Sequence, residues 1–168
     1  MKCYHKNMKQ SESITIKGHV KVFSRKAGSN DAWELKTETD NLVMTGSNTG
    51  RDLLIQWLLG LANYTGGIAW GAIGTSNTTP TLLDTQLGAE TNRTSPSFQQ
   101  DSGFNEAVIQ FFFPDNVLAN TTYYEFGSFV GGTSAANSGQ IFNHALFSIG
   151  YAKVAGQDTT CEIDLTIS

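Results

Sequence analysis

The residues able to do chemistry are few and scattered. Between the first helix-like stretch and the last strand there are six carboxylates: Asp84, Glu90, Asp101, Glu106, Asp115 and Glu125. Glycoside hydrolysis needs two carboxyl groups facing one groove at a set separation, and no spacing here marks such a pair. Glu125 lies inside the aromatic run Tyr123-Tyr124-Glu125-Phe126. A carboxylate pointing inward from that run needs a partner, because a lone buried charge is costly. Arg51 and Arg93 are the only arginines after residue 25, and Glu90 precedes Arg93 by three residues. Arg51, Glu90, Arg93 and Glu125 are therefore read as candidates for structural ion pairs, with Arg51 the favoured partner of Glu125 or Glu90.

The three histidines, His5, His19 and His144, show no metal-ligand spacing, and Cys3-x-His5 has no matching second half. No metal site and no cofactor are expected, and His144 is read as a structural or surface residue. Gly71-Ala72-Ile73-Gly74-Thr75-Ser76 lacks the lysine and following helix of a phosphate loop. There is no Gly-x-Ser-x-Gly elbow. An aromatic sugar platform can be imagined from Trp33, Tyr64, Trp70, Tyr123 and Tyr124, with 75–79 and 131–139 as binding loops. Core packing is the favoured role for most of these rings.

These groups sit on elements that read as strands. The chain has 168 residues, 39% of them apolar and 15% charged, with 17 Gly and 3 Pro. So few charges, with polarity supplied by Thr, Ser and Asn, favour an all-β domain. Ile14, Ile16, Val20 and Val22 alternate with polar residues, as do Trp33, Leu35 and Thr37, and Ile163, Leu165 and Ile167. Gly18 suggests a bulge. Residues 104–113, 123–130 and 142–154 add aromatic strands, and 81–87 suggests one helical turn with Leu82, Leu83 and Leu87 inward. The sum is about eight strands, an antiparallel β-sandwich, jelly-roll-like. One amphipathic helix is expected at about 49–62. It carries Leu53, Leu54, Trp57, Leu58 and Leu61 on one face and plugs the core.

Charge divides the chain. Residues 1–40 hold eight basic and five acidic residues, net +3, and residues 41–168 hold three and ten, net −7. The predicted organisation is an arm over 1–12 followed by a single domain over 13–168, made of a basic hairpin (13–40) and an acidic body (41–168). Lys2, Lys6, Lys9, Lys17 and Lys21 are candidate partner contacts. With no basic stripe interleaved with aromatics, nucleic acid is not an expected partner. No apolar run approaches a membrane span, and the N-terminus lacks the apolar core of a secretory signal.

The order of motifs adds a resemblance. Asn41-Leu42-Val43, Gly50-Arg51-Asp52-Leu53-Leu54 and Ile73-Gly74-Thr75 come first. Pro80-Thr81, Asp84-Thr85-Gln86-Leu87, Glu90 and Arg93 follow, then Glu125-Phe126-Gly127 and Phe142-Asn143-His144-Ala145-Leu146-Phe147. Over roughly residue 40 to the end this series resembles a group of small tailed-bacteriophage virion proteins. It departs from their pattern at Ala72, often Gly there, and at His144, often Arg. The resemblance implies a non-enzymatic virion component built in symmetric copies on the tail or fibre. Alternatives are a capsid decoration protein or a module binding a host-surface glycan. It implies other virion proteins as partners, and synthesis in the host cytoplasm.

Overall fold

A computed structural model describes residues 13–61 and 66–168. The arm expected over 1–12, with Lys2, Lys6 and Lys9, lies outside the described residues, as does Tyr64. Over the described residues the fold is all-β with one short helix. The strands are β1 (Ile16–Lys26), β2 (Glu34–Val43), β3 (Ile68–Gly74), β4 (Glu90–Thr94), β5 (Phe98–Gly103), β6 (Glu106–Phe113), β7 (Thr122–Val130), β8 (Gln140–Ala152) and β9 (Gln157–Ile167); the helix α1 is Gly50–Leu58.

All nine strands join one antiparallel sheet in the order β4-β3-β7-β8-β2-β1-β9-β6-β5. The count exceeds the expected eight because residues 90–103 make two strands. Hydrogen bonding shows one continuous open sheet where two stacked sheets were expected. That sheet is rolled. Phe126 on β7 and Phe111 on β6 stand five strands apart in the order, about 24 Å in a flat sheet at the usual strand spacing. Their ring centroids are 5.6 Å apart. The two edge strands, β4 and β5, are joined by residues 95–97 alone, so the edges must come close together.

The inner face of the roll carries Val20 and Val22 of β1, Ile73, Phe111, Phe113, Phe126, Phe147, Cys161 and Ile163. Period-two alternation places them there: in β1 the buried residues alternate with the half-exposed His19, Lys21 and Phe23. Gly71 is required by this closure, since a Cβ there would lie 2.4 Å from the Phe111 ring.

Several expectations change. The basic hairpin lies inside the sheet: β1 stands between β2 and β9 in the middle of the sheet order. Lys21 is spent within the chain, on Glu162 and Asp164 of β9, because antiparallel pairing sets it directly opposite Glu162. Lys17 remains exposed. The irregularity of the β1–β2 pair falls between Val22 and Phe23, not at Gly18. Gly18 instead makes room for Asn41, whose side-chain oxygen would lie 2.2 Å from a Cβ there. Residues 81–87 form turns without a helix; Leu87 is buried while Leu82 and Leu83 are exposed.

The helix is not a plug. It spans nine residues and buries only Gly50 and Leu53, with Leu53 packed on Val43, Val130 and Phe142. Leu58 is 84% exposed, and Ile55, Leu59 and Leu61 also face solvent. Thr49 occupies the N-cap position, but its hydroxyl donates back to the Gly46 carbonyl. The Asp52 carboxylate accepts the Asn48 N–H instead, at 2.7 Å, near the positive end of the helix dipole. Gly60, with φ of 67°, turns the chain away after the helix.

Candidate functional site

Two buried ionic clusters lie on the β4-β3-β7-β8 half of the sheet, and each fastens a long loop. The first centres on Glu125. Its place on β7 opposite Gly74 lets the carboxylate lie across β3; a Cβ at Gly74 would come within 2.4 Å of its Oε1. Glu125 is fully buried. Its oxygens accept the backbone N–H groups of Ala89 at 2.7 Å, Gly88 at 2.9 Å and Ser76 at 3.3 Å. The His144 Nε2 of β8 lies 3.0 Å from Glu125 Oε2, and its Nδ1 lies 2.8 Å from Asp84 Oδ2. Charged carboxylate oxygens only accept, so with both acids charged each ring nitrogen must donate. Asp84 also accepts the Thr81 hydroxyl at 2.6 Å and the Thr81 N–H at 3.0 Å.

The electrostatics follow from this geometry. Burial pushes the Glu125 carboxyl up, but the bonds from His144, Ala89 and Gly88 outweigh it and leave it below the usual glutamate range. Burial also pushes Asp84 up, and the bonds from Thr81 and His144 outweigh it in the same way. Both acids are thereby held in the charged form.

A cleft of about 380 Å³ opens above this cluster, lined by Ser76, Thr78, Thr81, Asp84, Gln86 and His144 among others. Its size lies within the range of small-molecule sites. Its chemistry is committed elsewhere: both nitrogens of His144 are occupied by carboxylates, and the Glu125 oxygens by N–H groups. The cluster clamps residues 76–89 onto the sheet.

The second cluster joins Glu90 and Arg93 of β4. A regular strand sends residues three apart to opposite faces. Here Thr91 is an extra residue, because Gly74 and Ile73 pair with Glu90 and Asn92. That bulge shifts the phase by one and returns both side chains to one face. The guanidinium grips the carboxylate in bidentate fashion, Nε to Oε1 at 2.6 Å and Nη2 to Oε2 at 2.8 Å. The side chains are 2% and 1% exposed, so what surface these residues keep is backbone. Arg93 Nη1 donates to the carbonyls of Ser138 at 2.8 Å and Thr133 at 3.1 Å. Glu90 Oε2 accepts the Asn137 N–H at 3.0 Å. The guanidinium also covers the Phe129 ring, 4.7 Å from its centroid. The 131–139 loop is thus tied down from below.

Comparisons with family models, with curated proteins and with solved structures each return no match.

Of the four residues expected in ion pairs, the structure brings Glu90 and Arg93 together and places Glu125 with His144. Arg51 joins neither cluster. It is exposed in the first turn of α1, with its backbone N–H on the Met44 carbonyl, so its charge stays in water. His144, read from sequence as a structural or surface residue, lies in the buried stretch Ile141–Ala145 of β8, where a polar ring needs a partner.

A third cluster gave little warning. Lys153 has a fully buried side chain whose Nζ donates to Asp115 Oδ1 at 2.6 Å and to the Val154 carbonyl at 2.7 Å. The bond from Lys153 and those from Gln157 and Gly156 hold the Asp115 carboxyl below its usual range, against a smaller burial effect. Asp158 accepts the N–H groups of Asp115 and Gly28, so three turns are laced together at one end of the sheet. The available signal was Lys153 itself, the one lysine after residue 36. Among the described residues no group of His, Cys, Asp and Glu has the arrangement of a metal site.

Proposed function

We propose that this protein is a non-enzymatic structural component of a tailed-phage virion, present in several symmetric copies on the tail or fibre. The observation that carries the assembly part is the helix. Its sequence, GRDLLIQWL, is amphipathic, with Arg51, Asp52 and Gln56 on one side and Leu53, Leu54, Trp57 and Leu58 on the other. One face packs on Val43, Val130 and Phe142, while Ile55, Leu58, Leu59 and Leu61 face outward. Apolar side chains left exposed together beside a buried face are the kind of surface that marks an interaction site. The buried ionic clusters suit the same role, since they stiffen the two long loops and the turns around a rolled sheet. The virion part is supported by the ordered motifs from Asn41 to Phe147.

Sedimentation of the purified chain tests the assembly claim. A symmetric oligomer that dissociates on Leu58→Ser and Leu59→Ser substitution is the expected result. A chain that remains monomeric at high concentration overturns it. Recovery of the chain with purified particles tests the virion claim, and its copy number distinguishes a tail or fibre ring from decoration spread over the capsid.

A further inference from the structure

The rolled sheet is open, and its two edges are not alike. β4 is five residues long and pairs with β3 only from Gly71 onward. It ends before Pro96, which has no N–H to extend a ladder. The chain then crosses to β5, and among the described residues no strand pairs with the second edge of β5. Residues 68–70, at the start of β3, likewise lie beyond the register of β4. A seam therefore opens between the start of β3 and β5. Gln99, opposite Ile109 in register, reaches across it and donates its side-chain amide to the Ile68 carbonyl at 3.3 Å. Directly paired strands lie about 4.8 Å apart and bond backbone to backbone. Here a side-chain amide makes the bond that the N–H of a further strand would make.

The seam borders a groove of about 780 Å³, with Ile16, Ile68, Ile109, Phe142 and Leu165 among its apolar walls. Its polar side chains include the amides of Gln99, Gln100 and Asn105, which both donate and accept, and the carboxylates of Asp101 and Glu106. No Lys or Arg occurs among the described residues that line it.

We infer that this seam takes an extended segment of a partner protein, added as a strand to the free edge of β5, with apolar side chains alternating with basic ones. The backbone is the first argument. A free strand edge offers a row of N–H and C=O groups, and natural edges are blunted by shortness, Pro or Lys. The β4 edge is short and followed by Pro96; β5, FQQDSG, carries neither Pro nor Lys. Strand addition draws affinity from main-chain bonds and specificity from pockets for alternate side chains. The groove is the second argument. An extended chain sends every other side chain to the same face, so one set enters the apolar groove beside β5 while the other stays at the surface. Charge is the third: with Asp101 and Glu106 as the charged residues lining the groove, basic side chains are favoured and acidic ones repelled. The inference is independent of the assembly reading, which uses the outward side of the helix.

A fluorescein-labelled peptide of alternating valine and lysine, titrated into the full chain and read by anisotropy, tests it. Saturable binding is the expected result, at least about tenfold tighter than that of the matching valine–glutamate peptide. N-methylation of alternate peptide residues removes the donors of one strand edge. In one of its two phases it should weaken binding about tenfold. Asp101→Asn with Glu106→Gln keeps an oxygen for the Gly103 N–H that Asp101 accepts and should weaken binding about threefold. Hydrogen exchange should show new protection in Phe98–Gly103 when the peptide is bound. Absence of saturable binding overturns the proposal, as does equal binding by both N-methylated forms or protection confined to other segments. Protection of β5 that rises with the concentration of the chain alone also overturns it and assigns the seam to a second copy.

Discussion

The Glu90–Arg93 pair and the Glu125–His144–Asp84 cluster do the same mechanical task with different chemistry. Each fixes a loop to the β4-β3-β7-β8 half of the sheet from beneath. In the first, a guanidinium that keeps its charge carries most of the load: one side chain holds Glu90, two loop carbonyls and a ring face. In the second, the load is distributed. Glu125 has three backbone donors besides His144, so the imidazole is one support among four. The lesson is that two buried carboxylates of similar exposure are not equally vulnerable. What matters is how much of the compensation for burial rests on one partner.

Removing Arg93 should therefore give the largest effect. Arg93→Met leaves Glu90 buried with the Asn137 N–H as its remaining partner. The expected loss is about 3–5 kcal/mol, the usual cost of stranding one member of a buried pair, measured by urea unfolding. The 131–139 loop should become the first site of proteolysis. His144→Leu should cost less, about 1–3 kcal/mol, because the N–H groups of Ser76, Gly88 and Ala89 still bind Glu125. If His144→Leu proved the more damaging of the two, the distributed-support account would be wrong.

Acid sharpens the contrast. The folded Glu125 and Asp84 carboxyls lie below their ordinary values, which are about 4.3 and 3.9 in the unfolded chain. A depressed carboxyl contributes stability above its unfolded value and loses it as pH falls through the folded one. Stability should thus hold from neutrality to about pH 4.5 and decline below it. Glu125→Gln should flatten that decline, as read from urea midpoints between neutral pH and pH 3. An unchanged slope would show that Glu125 does not drive the acid response. The smallest effect belongs to Arg51→Met, within about 0.5 kcal/mol, since Arg51 is exposed and outside both clusters. A larger loss would mean that Arg51 has a buried role after all.

How much was legible beforehand can be traced residue by residue. Period-two alternation was readable in β1, where one face is buried and the other half-exposed; in β9 the expected inward set runs from buried Ile163 through half-buried Leu165 to exposed Ile167. Glu125 declared its need for a partner by sitting among aromatics, but proximity in sequence could not name that partner. Arg51 was favoured because arginines are scarce; the actual partner was a histidine on the next strand, brought in by the β7–β8 register. The helix showed its apolar residues plainly. Which of them would be covered was not readable, because periodicity shows the apolar side of a helix but not how much of that side the sheet reaches.

By itself, then, the sequence determined the class of structure and the inventory of charges. Low charge, abundant Thr and Gly, and alternating apolar residues committed the chain to antiparallel strands. The shortage of arginines ensured that buried acids would compete for few cations. Tertiary structure decided the pairings. The Thr91 bulge put Glu90 and Arg93 on one face, the rolling of the sheet brought Phe111 onto Gly71 and Phe126, and the sheet order set Lys21 against its own β9. The physical reason is common to all three. Local sequence fixes which way a side chain alternates along its strand, whereas strand register, and the bulges that shift it, fix what it meets.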